Sequence, residues 1–163
     1  MTEQSGKICM VWRHASRVDN QTYTNGSNPH NYEDKLEKGI LYEVIRDIYV
    51  THSNHSEKAR SFMPAAVRVR ADNWYRNGCI RAGPDLGFDN NGLLHVSWFT
   101  GDDQMLGTCY DNSADGGQNF STSIPLLVDE LEATGEANLG VDVKDNVWIP
   151  TTDARDENNT MSL

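Results

Sequence analysis

The sequence is poor in basic residues, in cysteine and in long apolar runs, and each shortage excludes something. Against 24 Asp and Glu there are only 14 Lys and Arg, a formal net charge of −10. A nucleic-acid binder needs a concentrated basic face to meet the phosphate backbone, and no Lys/Arg cluster supplies one, so nucleic acid is not an expected partner. No stretch approaches the roughly 20 apolar residues of a membrane-spanning helix, so no membrane partner is expected either. The first seven residues lack the apolar stretch of a secretory signal. As written the chain reads as cytoplasmic, and as extracellular if it is a fragment of a secreted parent. Cys9, Cys79 and Cys109 are an odd number, without C-x-x-C spacing or a histidine at zinc spacing. Neither a disulfide framework nor a metal site follows, and no cofactor is expected. Cys9 and Cys109 fall in strand-like runs, where a thiol packs as a small hydrophobe.

What the chain has instead is short apolar runs separated by polar turns, and one turn stands out. Ser113-Ala114-Asp115-Gly116-Gly117-Gln118-Asn119-Phe120 lies between two strand-like runs. Asp115 can accept backbone N–H bonds from the residues that follow it, and the two glycines can take the positive φ of a tight turn. Phe120 can tuck beneath the hairpin as an apolar plug. An internal repeat accompanies it: the run from Leu86 to Trp98 recurs from Leu139 to Thr151, 53 residues later. Each copy reads as strand, tight turn, strand. Gly6 to Trp12 matches the second strand of the unit, with Trp12 falling where Trp98 falls. Repeat periods of roughly 40 to 50 residues with about four strands each are the signature of propeller blades.

The pattern Ser113-x-Asp115-x-Gly117-x-x-Phe120 resembles the Asp box, the bacterial neuraminidase repeat of sialidase-like β-propellers. A second, eroded box falls between the strand-like runs 45–53 and 62–69, with His55 for Asp, Glu57 for Gly and Phe62 two residues late. The expected fold is therefore all-β: a partial propeller of four-stranded antiparallel blades, about two and a half in number, in a single domain spanning 1–163. The first blade is partial, 6–70, and carries a loop and helix insertion at 13–44, its helical part resting on Leu36, Ile40, Leu41 and Val44. A connector follows over 70–83. The second blade, 84–128, has strands near 84–89, 93–99, 104–112 and 123–128. One helical turn is expected over 129–135, and the third blade, 138–163, is again partial. Three explanations of the unfinished blades stand side by side: a fragment of a larger protein, a subunit completed by other copies, or a compact remnant whose insertion covers an edge.

The resemblance also implies where a site lies. The Asp-box hairpin and the Asn90-Asn91-Gly92 turn share one rim, and in sialidase-like propellers the opposite rim holds the active site. The residues expected there as ligand-binding candidates are Arg81, Arg13, Arg155, Asp102, Asp103, Trp74 and Tyr75. Arginines converging on one carboxylate would clamp it with forked donors. Trp12, Trp98 and Trp148, at repeat positions, read instead as core. The family's Arg-Ile-Pro motif and a Tyr/Glu nucleophile pair are not recognisable in the sequence, so no catalytic residue is assigned. The leading function is a non-catalytic carbohydrate- or protein-binding propeller portion, as a homo-oligomer if the chain is full length. The alternatives are a sialidase-like glycoside hydrolase completed by missing blades or by oligomerisation, and a structural module that recruits a partner by strand addition.

Overall fold

A computed structural model describes residues 2–4, 7–17, 44–53, 65–75, 83–102, 105–128, 137–152 and 161–162. They form antiparallel sheets and, among the described residues, no helix. The first sheet runs in chain order through β1 (Thr2–Gln4), β2 (Lys7–Arg17), β3 (Val44–His52) and β4 (Val67–Tyr75). The second does the same through β5 (Asp85–Phe88), β6 (Leu94–Thr100), β7 (Gly107–Ser113) and β8 (Ile124–Val128). A third unit follows as two short pairs, β9 (Gly140–Val141) with β10 (Val147–Trp148) and β11 (Thr151–Thr152) with β12 (Met161–Ser162). Among the described residues no sheet closes on itself.

Side chains alternate along a strand, and here alternation builds the core between the two large sheets. Cys9, Ile48, Val50 and Val69 from the first sheet meet Leu86, Leu94, Val96, Trp98 and Cys109 from the second, with Val11, Phe88, Met105 and Phe120 packed at the margin. β6 is buried along its whole length, on both faces. Leu94, Val96 and Trp98 look towards the first sheet, while Ser97 Oγ on the other face donates to the carbonyl of Ala137 at 3.2 Å. The second buried face of β6 is therefore largely polar, carrying His95 and Ser97 beside Phe99. Burial also raises the Cys109 thiol to about 12, so the thiol stays protonated and packs as an apolar group.

The repeat is a geometric one. In the first turn, Asp89 Oδ1 accepts from the N–H groups of Asn91 (2.9 Å) and Leu93 (2.8 Å). In the second, Asp142 Oδ1 accepts from Lys144 (2.8 Å) and Asn146 (3.0 Å). The residue needing a left-handed backbone is Gly92 (φ 89°) in one copy and Asp145 (φ 65°) in the other. Asp145 uses the place to stitch the units together: its carboxylate accepts from the Asn90 N–H at 2.7 Å and from Asn91 Nδ2 at 3.1 Å. At the far end of β5, Asp85 Oδ2 accepts from the N–H of Leu139 at 3.0 Å. Pairing register repeats as well, with Phe88 opposite Leu94 in the second unit and Val141 opposite Val147 in the third. Pro150 stands where Ser97 stands in β6. Having no N–H, it cannot donate to a ladder, which accounts for the division between β10 and β11.

The turn between β7 and β8 is held by its own side chains. Ser113 Oγ donates to Asp115 Oδ1 at 2.7 Å and accepts from the Gly117 N–H at 2.8 Å. Asp115 Oδ1 also accepts from the N–H groups of Gln118 and Asn119, both at 2.9 Å, and Oδ2 accepts from Asn119 Nδ2 at 2.7 Å. Gly117, at φ 91°, is buried against the first sheet: a Cβ there would sit 3.1 Å from Val50 Cγ1 and 3.2 Å from Leu94 Cδ2. The turn thus docks across the seam between sheets.

Four expectations need correction. The first sheet begins before residue 6 and has four strands, because Thr2–Gln4 pairs with β2 as Thr2↔Cys9 through Gln4↔Lys7. Strand pairing runs through Arg13 to Arg17, opposite Ile48 to Val44, so the insertion narrows to 18–43; cross-strand hydrogen bonding extends β2 through polar residues that carry no apolar alternation. The proposed helix and eroded box lie outside the described residues, as does the helical turn at 129–135. β4 continues to Tyr75, placing Trp74 in a strand rather than a connector, because a bulge lets the ladder resume at Arg46↔Trp74. Finally, Trp98 is core, but Trp12 is half-buried and Trp148 half-exposed. Among the described residues Trp148 has no third strand above it comparable to β7.

Burial opposes ionisation of Asp115, but the hydrogen bonds from Asn119, Ser113 and Gln118 outweigh it and hold the carboxyl at about 2. Asp142 also sits at about 2, held by the side chain and N–H of Asn146. Both are depressed below the usual ~3.9 of an unfolded Asp. Their stabilisation is therefore fully present above about pH 4 and is lost as the pH falls through about 2. Asp115→Ala should lower stability by about 1–3 kcal/mol at neutral pH, with the deficit narrowing in acid. Paired thermal melts of mutant and parent at pH 7 and in acid measure both effects.

Candidate functional site

Strand direction sorts the loops into two rims. The ends of β1, β3, β5 and β7 lie on one with the starts of β2, β4, β6 and β8, and the ends of β2, β4 and β6 lie on the other with the starts of β3, β5 and β7. The second rim brings together the end of β2, the beginning of β3, the end of β4 and the loop after β6. Charged residues collect there.

A bulge in β4 selects which of them point inward. Between Ile48↔Arg70 and Arg46↔Trp74 one residue of β3, Asp47, faces three of β4, Ala71 to Asn73. Asn73 takes a left-handed backbone (φ 50°), and its N–H donates to Asp47 Oδ1 at 3.1 Å. The extra residues reverse the phase of alternation. Val69 points into the core before the bulge, while Asp72 and Trp74 point inward after it.

Asp72 is the centre of the cluster. Trp98 Nε1, reaching across from the second sheet, donates to Asp72 Oδ2 at 2.9 Å, and Arg70 Nε lies 3.4 Å from Oδ1. The Asp72 side chain has no exposed surface, and burial raises its pKa despite the bonds to Trp98 and Thr100 and the charge of Arg70. Arg70 Nη2 also reaches Asp102 Oδ2 at 3.3 Å. Beside it the Arg13 guanidinium lies 5.1 Å over the Trp74 ring, and its Nη2 donates to the carbonyl of Phe99 at 2.6 Å. Burial lowers the Arg13 pKa to about 10, opposed by the charge of Asp72 and assisted by that of Arg46. Trp74 meets Phe99 edge-on at 5.6 Å and closes against Gly101, where a Cβ would come within 2.3 Å of its Nε1. Only glycine permits that approach. On the other face Arg68 Nη2 pairs with Asp47 Oδ2 at 2.6 Å.

The sequence-based candidates divide accordingly. Arg13, Trp74 and Asp102 belong to one cluster. Tyr75 ends β4, its side chain outside the described part, and Arg81, Asp103 and Arg155 lie outside the described residues. The reading from sequence missed Arg70, Asp72, Arg68 and Asp47. The alternation Arg68-Val69-Arg70-Ala71-Asp72 was a signal that these charges share a strand, but the bulge that turns Asp72 inward has no signature beyond Asn73.

A smaller polar group lies nearer the opposite rim. His95 Nδ1 and Tyr110 Oη are 2.7 Å apart with their rings stacked at 5.9 Å, and His95 Nε2 is 3.7 Å from Asp89 Oδ2. Hydrogen bonds from the N–H groups of Leu93 and Asn91 and the proximity of His95 lower the Asp89 pKa, against a burial effect that would raise it. Among the described residues no group of three or more His, Cys, Asp or Glu side chains is placed to hold a metal. Compared with protein-family models, with curated proteins and with solved structures, the chain finds no match.

Removing Asp72 strands the Trp98 N–H and leaves Arg13 and Arg70 short of a counter-charge. Asp72→Ala should cost about 3–5 kcal/mol, the scale for breaking a buried ion pair. Asp72→Asn keeps an acceptor for Trp98 and should recover part of that loss. Because the Asp72 pKa is raised on folding, the parent loses stability as the pH climbs from the unfolded carboxylate's range through the raised value. That portion of the pH dependence should vanish in Asp72→Asn. Denaturant titrations across mildly acidic to neutral pH test it.

Proposed function

We propose that the chain is a portion of a sialidase-like Asp-box β-propeller that binds a carboxylate-bearing carbohydrate at the charged rim without hydrolysing it. The reading rests on the Ser113–Phe120 turn, the 53-residue repeat and the rim cluster together. One observation carries its non-catalytic part. The rim carboxyl whose pKa is raised in the manner of a general acid, Asp72, has a side chain with no exposed surface and is committed to Trp98 and Arg70. A general acid must reach within hydrogen-bond distance of the leaving oxygen. Asp72, with no exposed side-chain surface, does not meet that requirement. Among the described residues of the cluster, Arg70, its side chain 20% exposed, and Asp102 at 19% remain accessible beside the Arg13–Trp74 stack. A ligand carboxylate competing with Asp102 for the Arg70 fork is the interaction this surface supports.

The test has two arms. A fluorogenic sialoside should show no enzyme-dependent hydrolysis. An immobilised sialylated glycan should bind, about tenfold more weakly in Arg70→Ala and more tightly in Asp102→Ala, where the competing carboxylate is gone. Turnover that disappears in Arg70→Ala would replace binding with hydrolysis, and failure of both arms would remove the rim as a carbohydrate site.

A further inference from the structure

Among the described residues Asn91 is the one asparagine followed by glycine, and it lies exposed in the β5–β6 turn. That neighbour decides what the side chain can do. A backbone nitrogen can swing onto the side-chain carbonyl carbon of the asparagine before it only where its own residue is conformationally free, and glycine, lacking Cβ, is the freest. Gly92 already holds a left-handed backbone at φ 89°. At the corresponding place in the third unit stand Lys144 and Asp145, with no side-chain amide to react.

The Asn91 amide is also a fastening between units. Its Nδ2 donates to Asp145 Oδ2 at 3.1 Å, beside the Asn90 N–H, which donates to Asp145 Oδ1 at 2.7 Å. Asn90 Nδ2 completes the junction by donating to the Val143 carbonyl at 3.2 Å. The Asp145 carboxylate is thus set to receive a donor from position 91. The turn restrains Gly92 as well, its N–H donating to the Asp89 carbonyl at 3.2 Å. While the third unit is docked, the nitrogen and the amide that would react are both engaged elsewhere.

We propose that Asn91 is a site of spontaneous deamidation that unfastens the third unit from the second. The Gly92 nitrogen, having lost its proton to hydroxide, bonds to Asn91 Cγ; the Cγ–Nδ2 bond breaks and ammonia leaves, closing a five-membered succinimide. Water then opens the ring at one carbonyl to give aspartate, or at the other to give isoaspartate, with the main chain routed through Cβ and Cγ. No electrons are exchanged with any other group. Either product replaces the neutral amide by a carboxylate beside that of Asp145, and like charges at such a separation repel. Docking therefore slows the reaction, and the reaction, irreversible once ammonia is lost, opposes docking. The site lies on the rim away from the charged cluster and does not depend on the function proposed there.

The test ages the full chain at mildly alkaline pH and maps it by tandem mass spectrometry. The mass gain of exchanging NH2 for OH should appear at Asn91 before any other described asparagine, as a mixture of aspartate and isoaspartate. Asp145→Gly, which keeps the left-handed backbone and removes the acceptor, should raise the rate at Asn91 about tenfold by letting the turn open more often. Asn91→Asp, one of the two products, should speed amide exchange at Leu139, which is bonded to Asp85 at the far end of β5, about tenfold. Asn91→Gln retains an amide donor and should exchange at Leu139 as the parent does, with no mass gain at position 91. Exchange across β6, unchanged in all three variants, separates undocking from unfolding. The proposal is overturned if Asn91 stays intact while the other asparagines that precede glycine, Asn25 and Asn77, convert to completion. It is also overturned if Asp145→Gly leaves the rate at Asn91 unchanged, or if Asn91→Asp exchanges at Leu139 as slowly as the parent or loses protection equally across β6.

Discussion

The hydrogen bond from Trp98 to Asp72 crosses the seam between the two large sheets, and much else in the molecule is arranged around it. Neither group could be buried there without the other: an indole N–H and a carboxylate each carry a desolvation cost that only a partner offsets. Meeting that requirement fixes how far β4 slides against β6. It also places Arg70 and Arg13 where the carboxylate's charge is felt, and it draws the Trp74 ring onto Gly101. The apolar core below supplies the bulk of the driving force without setting a unique alignment, since Leu94, Val96, Ile48 and Val50 would tolerate small shifts. The polar contact at the top of the seam supplies the alignment.

At the opposite end, alignment comes from turns. Gly117 lets the β7–β8 hairpin touch Val50 of the neighbouring sheet, and Asp145 and Asp85 tie the third unit to the second through backbone N–H groups. The same chemistry recurs at each junction: a carboxylate whose acceptor capacity is filled by backbone or amide donors. An acidic composition is suited to this. The carboxylates of Asp85, Asp89, Asp115, Asp142 and Asp145 are tied up locally rather than spread as an undifferentiated negative surface.

How much of this could be read from the sequence depended on whether a contact is local. The all-β character, the strands of the second unit, the 53-residue register and the roles of Ser113, Asp115 and Gly117 were legible because each is written in neighbouring residues: alternation, an Asp two residues after a Ser, a glycine where φ is positive. β1 and the far ends of β2 and β4 were not legible. Thr2–Gln4, His14–Arg17 and Arg70–Tyr75 carry little apolar alternation, and they are strands because a neighbouring strand offers hydrogen bonds. The rim was half visible. Topology put Arg13, Trp74 and Asp102 on one rim, and the structure gathers them in one cluster there, whereas Asp72, the residue they surround, was hidden by a bulge that reverses its facing. Trp148 was assigned to the core on the strength of its repeat position, and the strand that would have covered it is not present among the described residues.

The stitches between the second and third units also impose an order. Asp145 finds its donors in a turn of the second unit and Leu139 finds its acceptor on β5, while Asn90 Nδ2 finds its acceptor at the Val143 carbonyl and Ser97 Oγ at the Ala137 carbonyl. During synthesis the ribosome delivers the two four-stranded sheets before the β9–β10 hairpin, so the turn and the β5 carboxylate that hold that hairpin already exist when its residues emerge.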